Sequence, residues 1–559
     1  MSVANIVWSA VLLGLLIWLL AGADSYFVYL GTTAVIASLL VLSAGVLAGD
    51  AGMFSLCQVS FAAVAALVLT EFASAGNPLP VLLECVLSVL TAGAFGVAVA
   101  LPALRLRSVN LAVVTFGLAN AVDVYISARG FPSNTVARPS FATSDRGYLI
   151  FASILVALVF VGLGLIRATQ TGASWRSVRY SERATAALGV SVVRAKTTAF
   201  GVSAMIAGLA GVLTVLQLNT VSESTFPASQ SLLIFAVAIF IGGWRWQGAL
   251  LAGAMSVFIP YISNQLGISQ AWGNILFAVG AIQALAGGSV ADALWPRRSV
   301  RQDADAVPDF NPNDIAAEPT DQPSREPALE IRGLSVNYSG LVAVDEVSLS
   351  VPPQAIVGII GANGAGKTTL IDAVSGYLRY SGQVLVDGVA LRGLPQARAR
   401  AGLRRTFQQD RVVPTITVEQ YLRLAAGSTL PVDDLGVLLA FSGISSRHAL
   451  VGEFEGASRR LLEVAAAFAS RPRVVLLDEP VAGLSASEAL EFADRLRLAP
   501  HTFGASVVLI EHDVDFVRAV CGHVIALDFG KVISSGTADA VLTDSAVTAA
   551  YLGEQAMAL

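Results

Sequence analysis

The chain has 559 residues, 55% of them hydrophobic and only 13% charged, where an ordinary soluble domain carries about 25% charged residues. That balance excludes a wholly soluble protein, and a net charge of −5 gives no electrostatic reason to expect nucleic acid as a partner. Cys57, Cys85 and Cys521 lie far apart, without metal-ligand or disulfide spacing.

The imbalance is local. From Ile6 to about Leu294 the sequence is a series of apolar stretches, and from Arg297 onward charges return at the density of a soluble protein. Two solvents imply two domains. A bilayer core of about 30 Å takes about 20 apolar residues per helical crossing. Segments near 5–21, 27–47, 52–72, 80–100, 108–127, 148–166, 198–217, 230–243, 249–263 and 272–290 fit that need. The eighth and ninth are short and joined only by WRWQG, so a bent or re-entrant pair is the alternative; residues 1–296 are expected to form a polytopic helical domain of eight to ten spans. AGADS after the first span resembles a signal-peptidase site, but no basic start precedes it, and the span is expected to be retained.

Basic residues set the orientation. The segment between the sixth and seventh spans carries Arg167, Arg176, Arg179, Arg183, Arg194 and Lys196 against Glu182, and Arg297, Arg298 and Arg301 follow the last span. Both should be cytoplasmic. Counting back puts Arg105, Arg107 and the N-terminus inside but leaves Arg129, Arg138 and Arg146 outside, against the rule unless that charge serves an external partner or substrate. Within the spans, Asn120 and Asp123 share a helical face, and Gln58 and Ser60 lie in the third segment. They either line a substrate route, form hydrogen bonds between helices or snorkel to the interface.

Residues 297–327, rich in proline, acids and small polar residues, have too little apolar surface to offset ordering entropy and read as a tether. Residues 328–559 follow as a nucleotide-binding domain. VGIIGANGAGKTTLIDAV is a β-branched strand, then G-x-x-x-x-G-K-[ST] from Gly361 to Thr368, then a helical pattern. This is a P-loop: its backbone N–H groups wrap phosphates, Lys367 neutralises them, and Thr368 offers a hydroxyl to Mg2+. VVLLDEP supplies a second buried strand ending in Asp478 and Glu479, one acid to hold the metal and one to orient the attacking water.

NYSGLVAVDEVSLSV, GANGAGKTT, RTFQQDRVVPTITVEQYL, RRLLEVAAAFASRPRVVLLDEPVAGLS and LIEHDVDFV, in that order, resemble an ABC transporter ATPase, and FGKVISSGTADAV with AYLGE looks like its branched-chain amino acid importer branch. GDAGMFSLCQVSFAAVAAL, ALRLRSVNLAVVTFGLAN, ERATAALGVSVVRAKTTAFGVSAMIAGLAGVL and GGWRWQGALLAGA resemble the permease subunit of the same importers. The resemblance implies a helical membrane domain fused to an α/β P-loop ABC ATPase. It implies that Tyr338 stacks on adenine, and that Gly361, Asn363, Gly364, Gly366, Lys367, Thr368 and Thr369 hold the phosphates of ATP. Thr368, Gln408 and Asp478 would hold Mg2+, Gln408 would also sense the γ-phosphate, Glu479 would be the catalytic acid/base and His512 would touch the γ-phosphate. Residues 172–190, with Glu182, Ala186 and Gly189, would form the coupling helix. Implied partners are a second permease subunit, a second ATPase and an extracytoplasmic solute-binding protein, at the cytoplasmic membrane and in contact with its lipid.

One segment departs from the family. The signature that clamps the ATP of the opposing subunit is typically LSGGQ, and aligning the following helix puts Phe454, Glu455, Gly456, Ala457 and Ser458 there. Glu455 replaces the serine that donates to the γ-phosphate. Two unit charges about 4 Å apart repel by about 4 kcal/mol at an effective dielectric near 20. The expectation is one competent and one degenerate site, completed by an unlike ATPase with an intact signature. An ABC exporter and an ATP-sensing membrane-anchored regulator are the rival readings; the many short, tightly connected spans oppose the first, Glu479 and His512 the second.

Overall fold

The computed structural model describes residues 22–74, 79–103, 106, 108–132, 135–269, 271–294, 326–338, 340–408, 411–427 and 430–550. The expected span at 5–21, nearly all of the tether, Arg105, Arg107 and most of AYLGE lie outside them. Two compact units result: Met1–Arg179 with Val193–Arg298, and Tyr180–Val192 with Ser299–Leu559.

In hydrocarbon every backbone N–H and C=O has to be satisfied internally, which makes apolar runs helical. The first unit contains α1 (Ser25–Gly45, continued by a π-helical turn Val46–Asp50), α2 (Gln58–Ser74), α3 (Val81–Ala103), α4 (Ser108–Arg129), α5 (Asp145–Ala168) and α6 (Gln170–Tyr180). After α7 (Glu182–Ala187), which belongs with the second unit, come α8 (Val192–Leu218), α9 (Ala228–Ile241), α10 (Trp246–Gln265), α11 (Ala271–Gly287) and α12 (Val290–Leu294). Nine of the ten expected spans therefore coincide with helices. Among the described residues, six stretches are long and apolar enough to cross a membrane: 25–50, 81–102, 110–129, 145–168, 192–218 and 223–241. Helices α2 and α11 are apolar but shorter, and at about 1.5 Å per residue the 17 residues of α2 fall short of a bilayer core. A stretch without regular secondary structure, 51–57, precedes α2. The stretches 25–50 and 192–218 are 83% and 78% buried and form the centre, whereas 81–102, 110–129 and 145–168 are at most 28% buried. Their outer faces carry Val113, Val124, Leu158, Val161 and Leu165, apolar side chains suited to lipid. Small residues permit close crossings: a Cβ on Gly211 would collide with the carbonyl of Ala62, and one on Gly45 with the backbone of Gly243.

The three arginines that oppose the expected orientation are each tied within the unit. Arg129 pairs with Glu71 at 2.6 Å, Arg138 donates to Asp145 and to the carbonyls of Leu216 and Gln217, each at 2.9 Å, and Arg146 donates to the Ala23 carbonyl at 3.2 Å. Asn120 donates to its own helix at Phe116, and the Asp123 carboxylate accepts from the N–H of Ala228 that opens α9. Gln58 is fully buried with neither amide atom hydrogen-bonded. Asp50 receives two bonds from Arg167, at 2.6 and 2.9 Å, and Arg167 also reaches the Trp244 carbonyl. Removing one partner of such a pair strands the other charge. Arg167→Met is expected to cost about 3 kcal/mol of stability, seen as a lower Tm in detergent, with Asp50→Leu/Arg167→Met recovering most of it.

The second unit holds two sheets. Strands β1 (Leu329–Tyr338), β2 (Leu341–Val351), β4 (Ser381–Val386) and β5 (Val389–Ala390) form an antiparallel sheet in the order β2-β1-β4-β5. Strands β3 (Ile356–Ile360), β6 (Leu403–Arg405), β7 (Val474–Asp478), β8 (Ser506–Ile510), β9 (His523–Asp528) and β10 (Lys531–Gly536) form the other, in the order β10-β9-β3-β8-β7-β6, parallel except for β10. Every residue of β3, β7 and β8 is buried, as expected of a parallel sheet covered on both faces. The helices are α13 (Lys367–Val374), α14 (Pro395–Arg400), α15 (Val418–Ala426), α16 (Val432–Ser442), α17 (Gly456–Phe468), α18 (Ala486–Phe503), α19 (Val514–Val520) and α20 (Ala538–Leu542). Cys521 is buried in the core, and desolvation pushes its thiol up to about 12. It is expected to resist maleimide at about pH 8 in the folded protein and to react once the protein is denatured.

Candidate ATP site

Ligand sites in open parallel sheets lie beyond the carboxyl ends of the strands. Here β3 leads into the P-loop, its neighbour β8 leads into Glu511 and His512, and β7 beyond it ends at Asp478 and Glu479. Gly364 and Gly366 take positive φ values of 83° and 97°. A Cβ on Gly366 would sit 2.5 Å from the Ala343 carbonyl oxygen, whereas Gly364 faces open space. Gly361 is buried, Asn363, Gly364 and Thr368 are exposed, and Thr369 is half-buried. Lys367 opens α13 and donates from Nζ to the carbonyls of Gly361 and Ala362 at 2.6 and 2.8 Å. Tyr338, 45% exposed, ends β1 with a ring free to stack.

Glu479 has a left-handed backbone, φ 47°, a strained state for a side-chain-bearing residue that is characteristic of functional positions. Its N–H donates to the Ile510 carbonyl at 2.9 Å, and Gln408 Nε2 donates to its Oε2 at 2.7 Å. The structure thus joins two of the sequence-predicted catalytic residues directly. Asp478 is buried, which raises its carboxyl pKa against the opposing pull of Arg405, 3.0 Å away. Carboxylate, hydroxyl and amide oxygens at Asp478, Thr368 and Gln408 are hard donors of the kind that suit Mg2+. The His512 side chain is 65% exposed, with Nδ1 3.7 Å from the Glu511 carboxylate.

Several contributors have no recognisable motif in the sequence. Arg460, in the first turns of α17, donates to the carbonyls of Phe407, Pro480 and Glu479 and to Glu463, clamping the Gln408 and Glu479 loops together. Glu511 is fully buried and accepts the N–H groups of Val481 and His512, each at 3.1 Å; burial raises its pKa. Arg405, Asp372 and Glu488 are the others. A buried arginine or acid beside a motif was the available signal, and burial is not legible before the fold is known.

In the 454–458 segment, Glu455 is exposed at the N-cap of α17 and makes no side-chain cap bond; Gly456 has φ 56°, and Ala457 and Ser458 are half-buried. Glu488 of α18 leans on this turn. Its Oε1 lies 3.0 Å from where a Cβ of Gly456 would stand. Hydrogen bonds from the Ser485 hydroxyl and N–H, and a further one from the Ala457 N–H, hold its carboxyl below the usual range. The opening of α17 thus already carries two carboxylates.

Part of the stretch expected to form the coupling helix, Tyr180–Val192, belongs to this unit. Ser181 caps α7, accepting from the Ala184 N–H at 3.2 Å. Leu188 is buried in the core cluster of Val412, Val413 and Ile416. Gly189, φ 77°, accepts from Arg400 at 2.9 Å, and the Ala187 carbonyl accepts from Arg404 at 3.3 Å. Ala186 is buried and Glu182 exposed. Of the expected 172–190 stretch, only α7 and its flanks pack here.

Lys367→Ala is expected to abolish photolabelling by azido-ATP, because it removes the one P-loop cation, while leaving β3 and α13 folded by circular dichroism.

Residues 26–285 match the family described as branched-chain amino acid transport system / permease component, and residues 344–482 match the ABC transporter family. The chain is 32% identical over 251 residues to the high-affinity branched-chain amino acid transport ATP-binding protein BraF of Pseudomonas aeruginosa, covering 41% of this chain and 98% of that one. It is 33% identical over 252 residues to LivG of Escherichia coli K12, of the same description, covering 41% and 99%. A solved nucleotide-free ATP-binding cassette from an ABC transporter covers 40% of this chain and 98% of its own at 25% identity, with a TM-score of 0.37. The chain binds ATP through an ABC ATPase, and its other half is a membrane permease. It belongs to the branched-chain amino acid transport family of ABC transporters, as an ATP-hydrolysing transporter with permease and ATPase in one polypeptide.

Proposed function

We propose that this chain is half of a heteromeric importer that carries a small solute, a branched-chain amino acid or a related amino acid, amide or carboxylate, across the cytoplasmic membrane. Residues 1–296 form the permease, 297–327 the tether and 328–559 the ATPase, which faces the cytoplasm. A second permease subunit and an extracytoplasmic solute-binding protein complete the path.

The carrying observation is the contrast between the two faces of the ATPase. On one, Lys367, Asp478 and Glu479 stand at the carboxyl ends of β3 and β7, two strands separated by β8, and Gln408 bonds Glu479. On the other, Glu455 and Glu488 flank the N-terminus of α17, where their like charge would repel a γ-phosphate. The chain therefore supplies the catalytic half of one site and the degenerate jaw of the other. An unlike ATPase with an intact signature supplies what is missing.

At the competent site the P-loop N–H groups and Lys367 hold the phosphates, Tyr338 stacks on adenine, and Thr368, Asp478 and Gln408 hold Mg2+. The bound ion would neutralise charge developing between the β- and γ-phosphates. Gln408 orients the Glu479 carboxylate, Glu479 orients the attacking water, and His512 contacts the γ-phosphate. Closure of the two ATPases draws the coupling helices together and turns the membrane cavity outward; hydrolysis resets it.

Purified alone, the chain is expected to hydrolyse ATP slowly, and beside a partner with an intact signature rapidly. Vigorous hydrolysis by the chain alone refutes the asymmetry. Glu479→Gln should abolish uptake of labelled leucine by proteoliposomes holding all subunits, whereas Glu455→Ser/Ala457→Gly should raise hydrolysis by the chain alone.

A further inference from the structure

Arg405 is 3% exposed and holds two carboxylates at once, bonding Asp372 through Nη1 and Asp478 through Nη2, the latter at 3.0 Å. Its guanidinium also lies 4.9 Å from the centre of the Phe407 ring, which limits where it can go. Asp372, near the end of α13, receives a second cation: Arg183 of α7 donates to its Oδ2 at 3.1 Å. The position of Arg183 is fixed by Tyr377, whose hydroxyl donates to the Arg183 carbonyl at 2.7 Å and whose ring stacks under its guanidinium at 4.8 Å. The four charges alternate in sign from the coupling segment to the end of β7: Arg183, Asp372, Arg405, Asp478.

An alternating chain of this kind has a signed logic. Arg405 is shared, so whatever weakens the hold of Asp372 on it strengthens its hold on Asp478. Arg183 weakens that hold, because it competes for the same carboxylate. Arg405 in turn competes with a metal ion for Asp478, since both are cations seeking one buried carboxylate.

We propose that Asp372 and Arg405 are positioning residues that report the seating of α7 to Asp478: with Arg183 engaged, Arg405 is released toward Asp478 and disfavours the metal there, and with Arg183 withdrawn, Asp372 takes Arg405 and frees Asp478. This rests on Asp478 holding Mg2+ as proposed above. The coupling segment thereby acts on the metal end of the site by a route separate from Gln408. Neither Asp372 nor Arg405 touches substrate.

The test is a double-mutant cycle in the assembled transporter in lipid nanodiscs, carrying Glu479→Gln to suppress hydrolysis. The reading is the Mg2+ concentration that half-saturates binding of a fluorescent ATP analogue. Asp372→Asn is expected to raise that concentration about fivefold, at the lower end of typical coupling between sites, and Arg183→Ala, which removes only a competitor for Asp372, to lower it by about twofold. The double variant should match Asp372→Asn alone, because Arg183 acts through Asp372. Arg405→Lys, which keeps a charge but loses the second arm, provides a further arm should Asp372→Asn fold poorly: it should lower the Mg2+ requirement and make it insensitive to Arg183→Ala. A shift by Arg183→Ala that persists in the Asp372→Asn or Arg405→Lys background overturns the relay, as do shifts of opposite sign. If nucleotide binding by the unsubstituted residues shows no Mg2+ dependence, the metal assignment itself fails, an outcome distinct from wrong shifts on a working site.

Discussion

Strands β3, β8 and β7 lie side by side and parallel, and their carboxyl ends stop at the same edge of the sheet. A buried parallel strand has no use for polar side chains along its length, so chemistry can enter only where the strand ends. The P-loop, the Glu511–His512 pair and the Asp478–Glu479 pair each begin where a fully buried five-residue strand finishes. The catalytic half-site is a consequence of that alignment. Its members come from segments spread over 361–512 of the chain, yet no loop has to travel far to bring them together.

Charge then decides what the half-site can face. The P-loop offers N–H groups and one cation, Lys367, whereas two carboxylates, Glu455 and Glu488, stand at the turn at 454–458. Glu488 is there for a local reason, since it completes the capping box of Ser485 at the start of α18. Its other oxygen reaches across to α17. A helix N-terminus is a favourable place for an anion, and a fixed internal anion lessens what remains for a phosphate. The P-loop and the 454–458 turn are thus electrostatically unlike, although neither helix start carries a side-chain cap bond.

Much of this was readable from the sequence, and the boundary has a physical cause. The P-loop, Asp478, Glu479 and the 454–458 departure are local patterns, fixed by spacing within a dozen residues. The membrane helices were legible because hydropathy is also local. What escaped were long-range partners. Arg405, Arg460 and Glu511 sit beside motifs and look like unremarkable flanking charges until burial shows that each has several fixed ligands. The arginines at 129, 138 and 146 read as a breach of the orientation rule because most of the groups that tie them, Glu71, the carbonyls at the end of α8 and that of Ala23, are 58 to 123 residues away in sequence. The π-helical turn at 46–50 and the irregular stretch 51–57 before α2 also have no signature in the periodicity.

Residues 180–192 are made in the middle of the permease sequence but belong to the ATPase unit, with Leu188 buried in the core cluster that also holds Val412, Val413 and Ile416. During synthesis that apolar side chain leaves the ribosome more than 200 residues before its enclosure exists. Biogenesis therefore includes an interval in which the segment waits unshielded. Covalent fusion raises the local concentration of the right enclosure during that wait, so the chain's own ATPase has first claim on this loop over any free cassette in the cell.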